Sequence, residues 1–116
     1  MFMNVSHYTP DVEKLADLFG LMSQPSRLQI VMLIGSGEAC VCHLCEALHA
    51  RQAYVSQQLM GLRKAGFVET RRHGRHIYYR ITDTRLIPMI LEAARKFSLD
   101  ITPPHVPDIP GCDYIQ

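Results

Sequence analysis

The chain has 116 residues, of which 47% are hydrophobic and 20% charged, and a formal net charge of +1. This is room for one domain with a real core, so an intrinsically disordered chain is excluded. The longest apolar run, Ile30-Val31-Met32-Leu33-Ile34, is far short of the ~20 residues that span a bilayer, and Met1–Pro10 shows no secretory pattern. A cytoplasmic protein without membrane attachment is the expectation.

Periodicity predicts a first helix over Asp11–Met22, with Val12, Leu15, Ala16, Phe19 and Met22 on one face. Gln24-Pro25-Ser26 opens a second helix, because proline in the first turn lacks only an N–H that has no partner there. Its inward residues are expected to be Leu28, Val31, Met32 and Leu33, and Gly35-Ser36-Gly37 stops it. A short third helix is expected over Val41–His49, with Leu44, Ala47 and Leu48 inward. The fourth, Ala53–Ala65, carries the stripe Val55, Leu59, Leu62 and ends at Gly66, a left-handed stop.

The period then changes to alternation. Phe67–Arg72 and His76–Thr82 read as two strands joined by His73-Gly74-Arg75, with glycine free to take positive φ. A last helix starts at Asp83 or Thr84 and runs to about Ser98, bearing Leu86, Ile87, Ile90, Leu91, Ala94 and Phe97. These elements describe a mainly α winged helix–turn–helix domain with a two-stranded β-hairpin, over residues 1–98. Residues 99–116 form an extended tail, proline-rich between Thr102 and Pro110. The apolar stripes of the first and last helices suit a homodimer seam, since so small a domain leaves much apolar surface uncovered.

Charge is distributed unevenly. Between Arg51 and Arg80 lie Arg51, Arg63, Lys64, Arg71, Arg72, Arg75 and Arg80 against one acid, Glu69, so that window is strongly basic in an otherwise acidic chain. It covers the fourth helix and the hairpin. Charge and fold therefore agree on double-stranded DNA as the partner.

Cys40, Cys42 and Cys45 fall within one short segment, and Cys112 lies in the tail. Clustered thiols in a reducing compartment read as soft-metal ligands or redox centres rather than a disulfide framework. On a regular helix Cys42 and Cys45 share a face while Cys40 points away, about 200° from Cys42. All three can meet one ion only if Cys40 precedes the helix or the first turn unwinds. Three sulfurs suit a trigonal pyramidal ion such as arsenite or antimonite, whereas tetrahedral zinc or cadmium wants a fourth donor. His43 is expected on the exposed side of this helix, with a spare ligand as the alternative, and Cys112 is an optional added donor.

Four blocks in order resemble the ArsR/SmtB family of metal-responsive repressors. Leu18-Phe19 with Met22-Ser23-Gln24-Pro25-Ser26-Arg27-Leu28-Gln29-Ile30 resembles the opening signature, and Cys40-Val41-Cys42-His43-Leu44-Cys45 the metal-box helix. Val55-Ser56-Gln57-Gln58-Leu59 with Leu62-Arg63-Lys64-Ala65-Gly66-Phe67-Val68 resembles the recognition helix and its exit. Arg71-Arg72-His73-Gly74-Arg75 with Tyr78-Tyr79 resembles the wing. The resemblance implies a homodimer that represses from operator DNA until an inducer releases it. The Cys-x-Cys-x-x-Cys spacing resembles the arsenite-responsive branch. Asp83-Thr84-Arg85, with no histidine after it until His105, departs from the zinc-responsive branch.

The expected DNA-facing set is Gln52, Tyr54, Ser56, Gln57, Gln58, Arg63 and Lys64 from the fourth helix, with Arg72, His73 and Arg75 from the hairpin tip. Ser56 and Gln57 suit base edges, glutamine pairing bidentately with adenine, while the cations suit phosphate. The expected metal set is Cys40, Cys42 and Cys45, with Cys112 added, taking arsenite or antimonite as inducer and needing no obligate cofactor. Alternatives within the same fold are a thiol-based redox or reactive-sulfur sensor and a cadmium or lead sensor. An enzyme is not expected, because no nucleophile–base or paired-carboxylate arrangement can be placed in a pocket.

Overall fold

A computed structural model describes residues 7–103. The elements are α1 (Pro10–Leu21), α2 (Pro25–Ile34), β1 (Ala39–Cys40), α3 (Val41–Leu48), α4 (Gln52–Lys64), β2 (Val68–His73), β3 (His76–Ile81) and α5 (Leu86–Lys96). They form a winged helix–turn–helix in which α3 and α4 are the helix pair and β2–β3 the wing. The expected helices are all present, shifted at their ends by a residue or so, except that α5 starts later than expected. There the Asp83 carboxylate accepts the backbone N–H of Arg85, and Ile87 N–H reaches back to Thr84 O, so a turn occupies 83–85 before regular helix begins.

Local chemistry sets the boundaries. Thr9 caps α1, its hydroxyl accepting the Val12 N–H at 3.1 Å. Gly66, at φ +83°, turns the chain out of α4, and Gly74, at φ +62°, turns β2 into β3. The wing strands are antiparallel, Val68 opposite Ile81 and His73 opposite His76.

The expected two-stranded hairpin is present as β2–β3, and a third, two-residue strand that was not expected adds to its β3 edge. Ala39 and Cys40 pair antiparallel with Tyr79 and Tyr78, giving the order β1-β3-β2. So short a strand carries no alternation that a sequence reading could detect.

The core lies between α2, α3, α4 and the sheet. Ile30, Val31 and Ile34 of α2, Leu44 of α3, and Val55, Leu59 and Leu62 of α4 are all fully buried. Val68 and Ile81 close it from the wing. The inward face of α2 is therefore Ile30, Val31, Leu33 and Ile34, and the expected Leu28 and Met32 are only half-buried. α1 has no buried residue and α5 has only Ala94. Among the described residues, no helix is long and apolar enough to cross a membrane. Of the 99–116 tail, residues 104–116, Cys112 among them, lie outside the described part.

Candidate metal centre and nucleic-acid interface

Cys40 is at once the last residue of β1 and the N-cap of α3, in extended conformation (φ −91°, ψ 166°). This answers the geometric difficulty posed by the sequence: Cys40 precedes the helix and its sulfur turns back over the first turn. The donor atoms of Cys40, Cys42 and His43 lie within 4.8 Å of one another. His43 Nδ1 is 3.0 Å from the Cys40 sulfur. His43 was expected to be exposed; it is 1% exposed. The β1–α3 junction folds the first turn against the sheet, which draws that side chain inward.

Cys45, one turn further on, does not join this tight group but lines the same open cavity of about 520 Å³. Cys45 is a free thiol, and burial pushes its pKa up. Cys40 and Cys42 are disulfide-bonded, so they become metal donors only on reduction. The remaining walls of the cavity come from the first residue of α4, Gln52, and from Arg75, His76 and Ile77 of the wing. Tyr78 of β3, 1% exposed, packs on Cys40 and Cys42. The sulfur site is thus bounded by both elements expected to touch DNA.

On α4, Gln52, Tyr54, Gln57, Arg63 and Lys64 are exposed and Ser56 is half-buried. Arg72, His73 and Arg75 are exposed at the wing. Gln58 is the exception. It was expected outward but is buried, its Oε1 accepting the Arg27 Nε–H at 2.8 Å, so it ties α4 to α2. Arg27 also donates to Leu21 O at 3.2 Å. A partner 31 residues away is invisible to a helical-wheel argument. Tyr54, though exposed, also bridges these helices, its hydroxyl donating to Ser26 Oγ at 2.9 Å.

The basic window is partly spent within the protein. Arg71 pairs with Glu38 at 2.7 Å and lies over the Tyr78 ring, and Arg80 pairs with Glu69. Among the described residues, Arg51, Arg63, Lys64, Arg72 and Arg75 make no salt bridge. These are the cations left for phosphate. Glu38, which composition did not single out, is held below the usual carboxylate range by its hydrogen bond from Arg71.

The profile described as "Bacterial regulatory protein, arsR family" matches residues 24–70, from α2 into the wing. A crystal structure of the transcriptional repressor BigR from Xylella fastidiosa is 34% identical, with a TM-score of 0.67, over 74% of this chain and 88% of that one. The chain belongs to the ArsR family. Within it, a "Transcriptional repressor SmtB homolog" of Synechocystis is 34% identical over 71% of this chain and 62% of its own. The chain therefore spans about three fifths of that relative's length. The "Arsenical resistance operon repressor" of Escherichia coli is 39% identical over 56% of each chain. A solution structure described as a homodimeric winged helix–turn–helix DNA-binding domain, from Mycobacterium bovis, is 27% identical with a TM-score of 0.68, covering 83% and 92%. These ArsR-family relatives carry the names of transcriptional regulators, but the names differ in what is regulated, so membership alone does not fix the inducer.

Proposed function

We propose that this protein is a homodimeric transcriptional repressor that leaves operator DNA when a soft thiophilic ion, arsenite or antimonite, is gathered by Cys40, Cys42 and Cys45. The observation that carries this reading is the shared cavity: its sulfurs sit between the amino end of α4 and the wing. Gln52, Ser56 and Gln57 enter the major groove, and Arg63, Lys64, Arg72, His73 and Arg75 hold the backbone on either side. The dimer is supported by the uncovered apolar faces of α1 and α5, where Phe19, Met89, Phe97 and Leu99 line one groove of about 450 Å³. Two wings on one dimer then address two half-sites.

The ion acts through its different affinity for the DNA-bound and free conformers, a coupling of about 1–3 kcal/mol in typical cases. Cys45 must move toward Cys40 and Cys42 to complete a three-sulfur cup. That motion pulls on the first turn of α3, on Tyr78 and hence on the wing, and on the α3–α4 turn that orients the recognition helix.

The test uses reduced, anaerobic protein bound to a duplex selected from random sequence. Arsenite is expected to release the DNA, and Cys42→Ser to abolish release while leaving binding without arsenite intact. Retained release in Cys42→Ser would remove the sulfur cluster from the mechanism.

The disulfide-bonded state of Cys40 and Cys42 favours one second reading, a thiol oxidation switch. There, two thiols and one peroxide give one disulfide and two waters, the thiol sulfurs being oxidised and the peroxide oxygens reduced. Release by peroxide but not by anaerobic arsenite would select it.

A further inference from the structure

We propose that Arg27 is a positioning residue for operator reading: its guanidinium ties the recognition helix α4 to the end of α1, and so sets how far apart a dimer holds its two recognition helices. This deepens the dimeric DNA-binding reading above and rests on it.

Beside the apolar stripe of α4 runs a second, polar one. Tyr54, Gln58 and Gly61, spaced i, i+4, i+7, share a face turned toward the first turn of α2. The Tyr54 hydroxyl donates to Ser26 Oγ at 2.9 Å, and Gln58 Oε1 accepts the Arg27 Nε–H at 2.8 Å. At Gly61 the missing side chain leaves room for the same guanidinium. A Cβ there would stand 3.2 Å from Arg27 Nη2 and 3.5 Å from its Cζ. The third contact leaves α4 altogether, Arg27 Nη1 donating to Leu21 O, on the last residue of α1, at 3.2 Å. One half-buried, planar cation therefore spans three helices, and among the described residues it makes no salt bridge.

Apolar burial is non-directional, so Val55, Leu59 and Leu62 fix the angle of α4 less sharply than a forked donor does. The guanidinium presents its donors in a rigid plane, and moving α4 by an ångström against α1 would break one of its bonds. The carbonyl end of α1 also carries the negative end of the helix dipole, which favours a cation there. α1 in turn bears the uncovered apolar face assigned to the dimer seam. The contacts from Leu21 through Arg27 to Gln58 thus run from the seam to the recognition helix. Two such helices must meet major grooves about one turn, ~34–36 Å, apart. One base pair more or less displaces a half-site by about 3.4 Å and turns it by about 35°.

The alternative is a clip that holds the fold and nothing more. The two roles separate at Gly61. Leucine is a better helix former than glycine, so Gly61→Leu keeps α4 while its branch takes the place of the guanidinium. Arg27→Lys keeps the charge but offers a point donor in place of the fork that bridges Gln58 and Leu21.

The experiment uses the full, reduced chain as wild type, Gly61→Leu and Arg27→Lys. Each is titrated with the duplex selected from random sequence, with duplexes whose half-sites stand one base pair closer or further apart, and with single-base variants. Denaturant melts run beside them. Wild type is expected to prefer the selected spacing at least about tenfold. In both variants that preference is expected to fall below about threefold, with single-base preference retained and the Gly61→Leu melt no lower than wild type. A spacing preference kept in Arg27→Lys overturns the inference, and so does one lost only in step with the melt midpoint. Wild type indifferent to spacing overturns it alone. Wild type that binds these duplexes only as a monomer, or binds none of them, overturns the dimeric reading as well.

Discussion

The helix–turn–helix core and the two terminal helices solve opposite problems with similar apolar content. α2, α3, α4 and the sheet bury most of their aliphatic side chains against one another, with Leu44, Val55, Leu59 and Leu62 fully covered, though Tyr54, Met60 and Ile77 stay exposed. α1 and α5 instead carry Val12, Leu15, Phe19, Met89, Leu91 and Phe97 about half exposed or more, around an apolar groove. Exposed apolar surface of that kind marks a site awaiting a partner. One region is finished as a monomer, and the other is finished only by association. Stability and assembly should therefore respond to different substitutions.

The largest expected effect tests this division directly. Leu59→Ala removes a fully buried side chain, and its cost should be about 2–5 kcal/mol of folding stability whatever the protein concentration. Phe19→Glu should leave the isolated fold nearly untouched. It should instead shift the mass measured by light scattering toward a monomer and weaken DNA binding with it. Equal losses of folding stability in both variants would show that α1 belongs to the monomer core.

A smaller contrast lies within α4 itself, between neighbouring glutamines. Gln57→Ala should cost about 1–3 kcal/mol of discrimination at one base pair and leave the melt unchanged. Gln58→Ala should do the reverse. It leaves the Arg27 guanidinium without its 2.8 Å partner, at about 1–3 kcal/mol of stability, with little loss of base preference. Binding to single-base operator variants, beside denaturant melts, checks both. Preference lost at Gln58 with stability unaltered would return that residue to the DNA face.

These contrasts also mark what could be read from the sequence. The helices, the wing and its Gly74 turn were legible because each depends on local period and on φ freedom. The outer residues of α4 were legible too, since the stripe Val55, Leu59, Leu62 fixes which side is left. Gln58 borders that stripe, and its direction is decided by Arg27 on another helix. His43 is placed by β1, a pairing of two residues with β3 that has no pattern of its own. The sulfurs announced the centre, but the burial of His43 beside Cys40 needed tertiary structure to be seen. The same applies to Arg71, which counted toward a DNA-binding charge and proves to be held by Glu38.

The Glu38–Arg71 pair supplies the smallest effect and a distinctive pH signature. Arg71 reaches from β2 of the wing to the residue just before β1, and lies over Tyr78 on the way. Its hydrogen bond holds the folded-state pKa of Glu38 below the usual carboxylate range. A carboxylate with a depressed folded pKa stabilises the fold above its unfolded pKa, and loses that contribution as pH falls through the folded one. Arg71 is 43% exposed, so water screens the pair, and Glu38→Gln should cost less than about 1 kcal/mol near neutrality. The difference from wild type should shrink toward zero below about pH 4. Urea melts at fixed protein concentration, at pH 7 and near pH 3, check this. A constant difference across that range would mean that packing, rather than the ion pair, fastens the wing to the strand that bears Cys40.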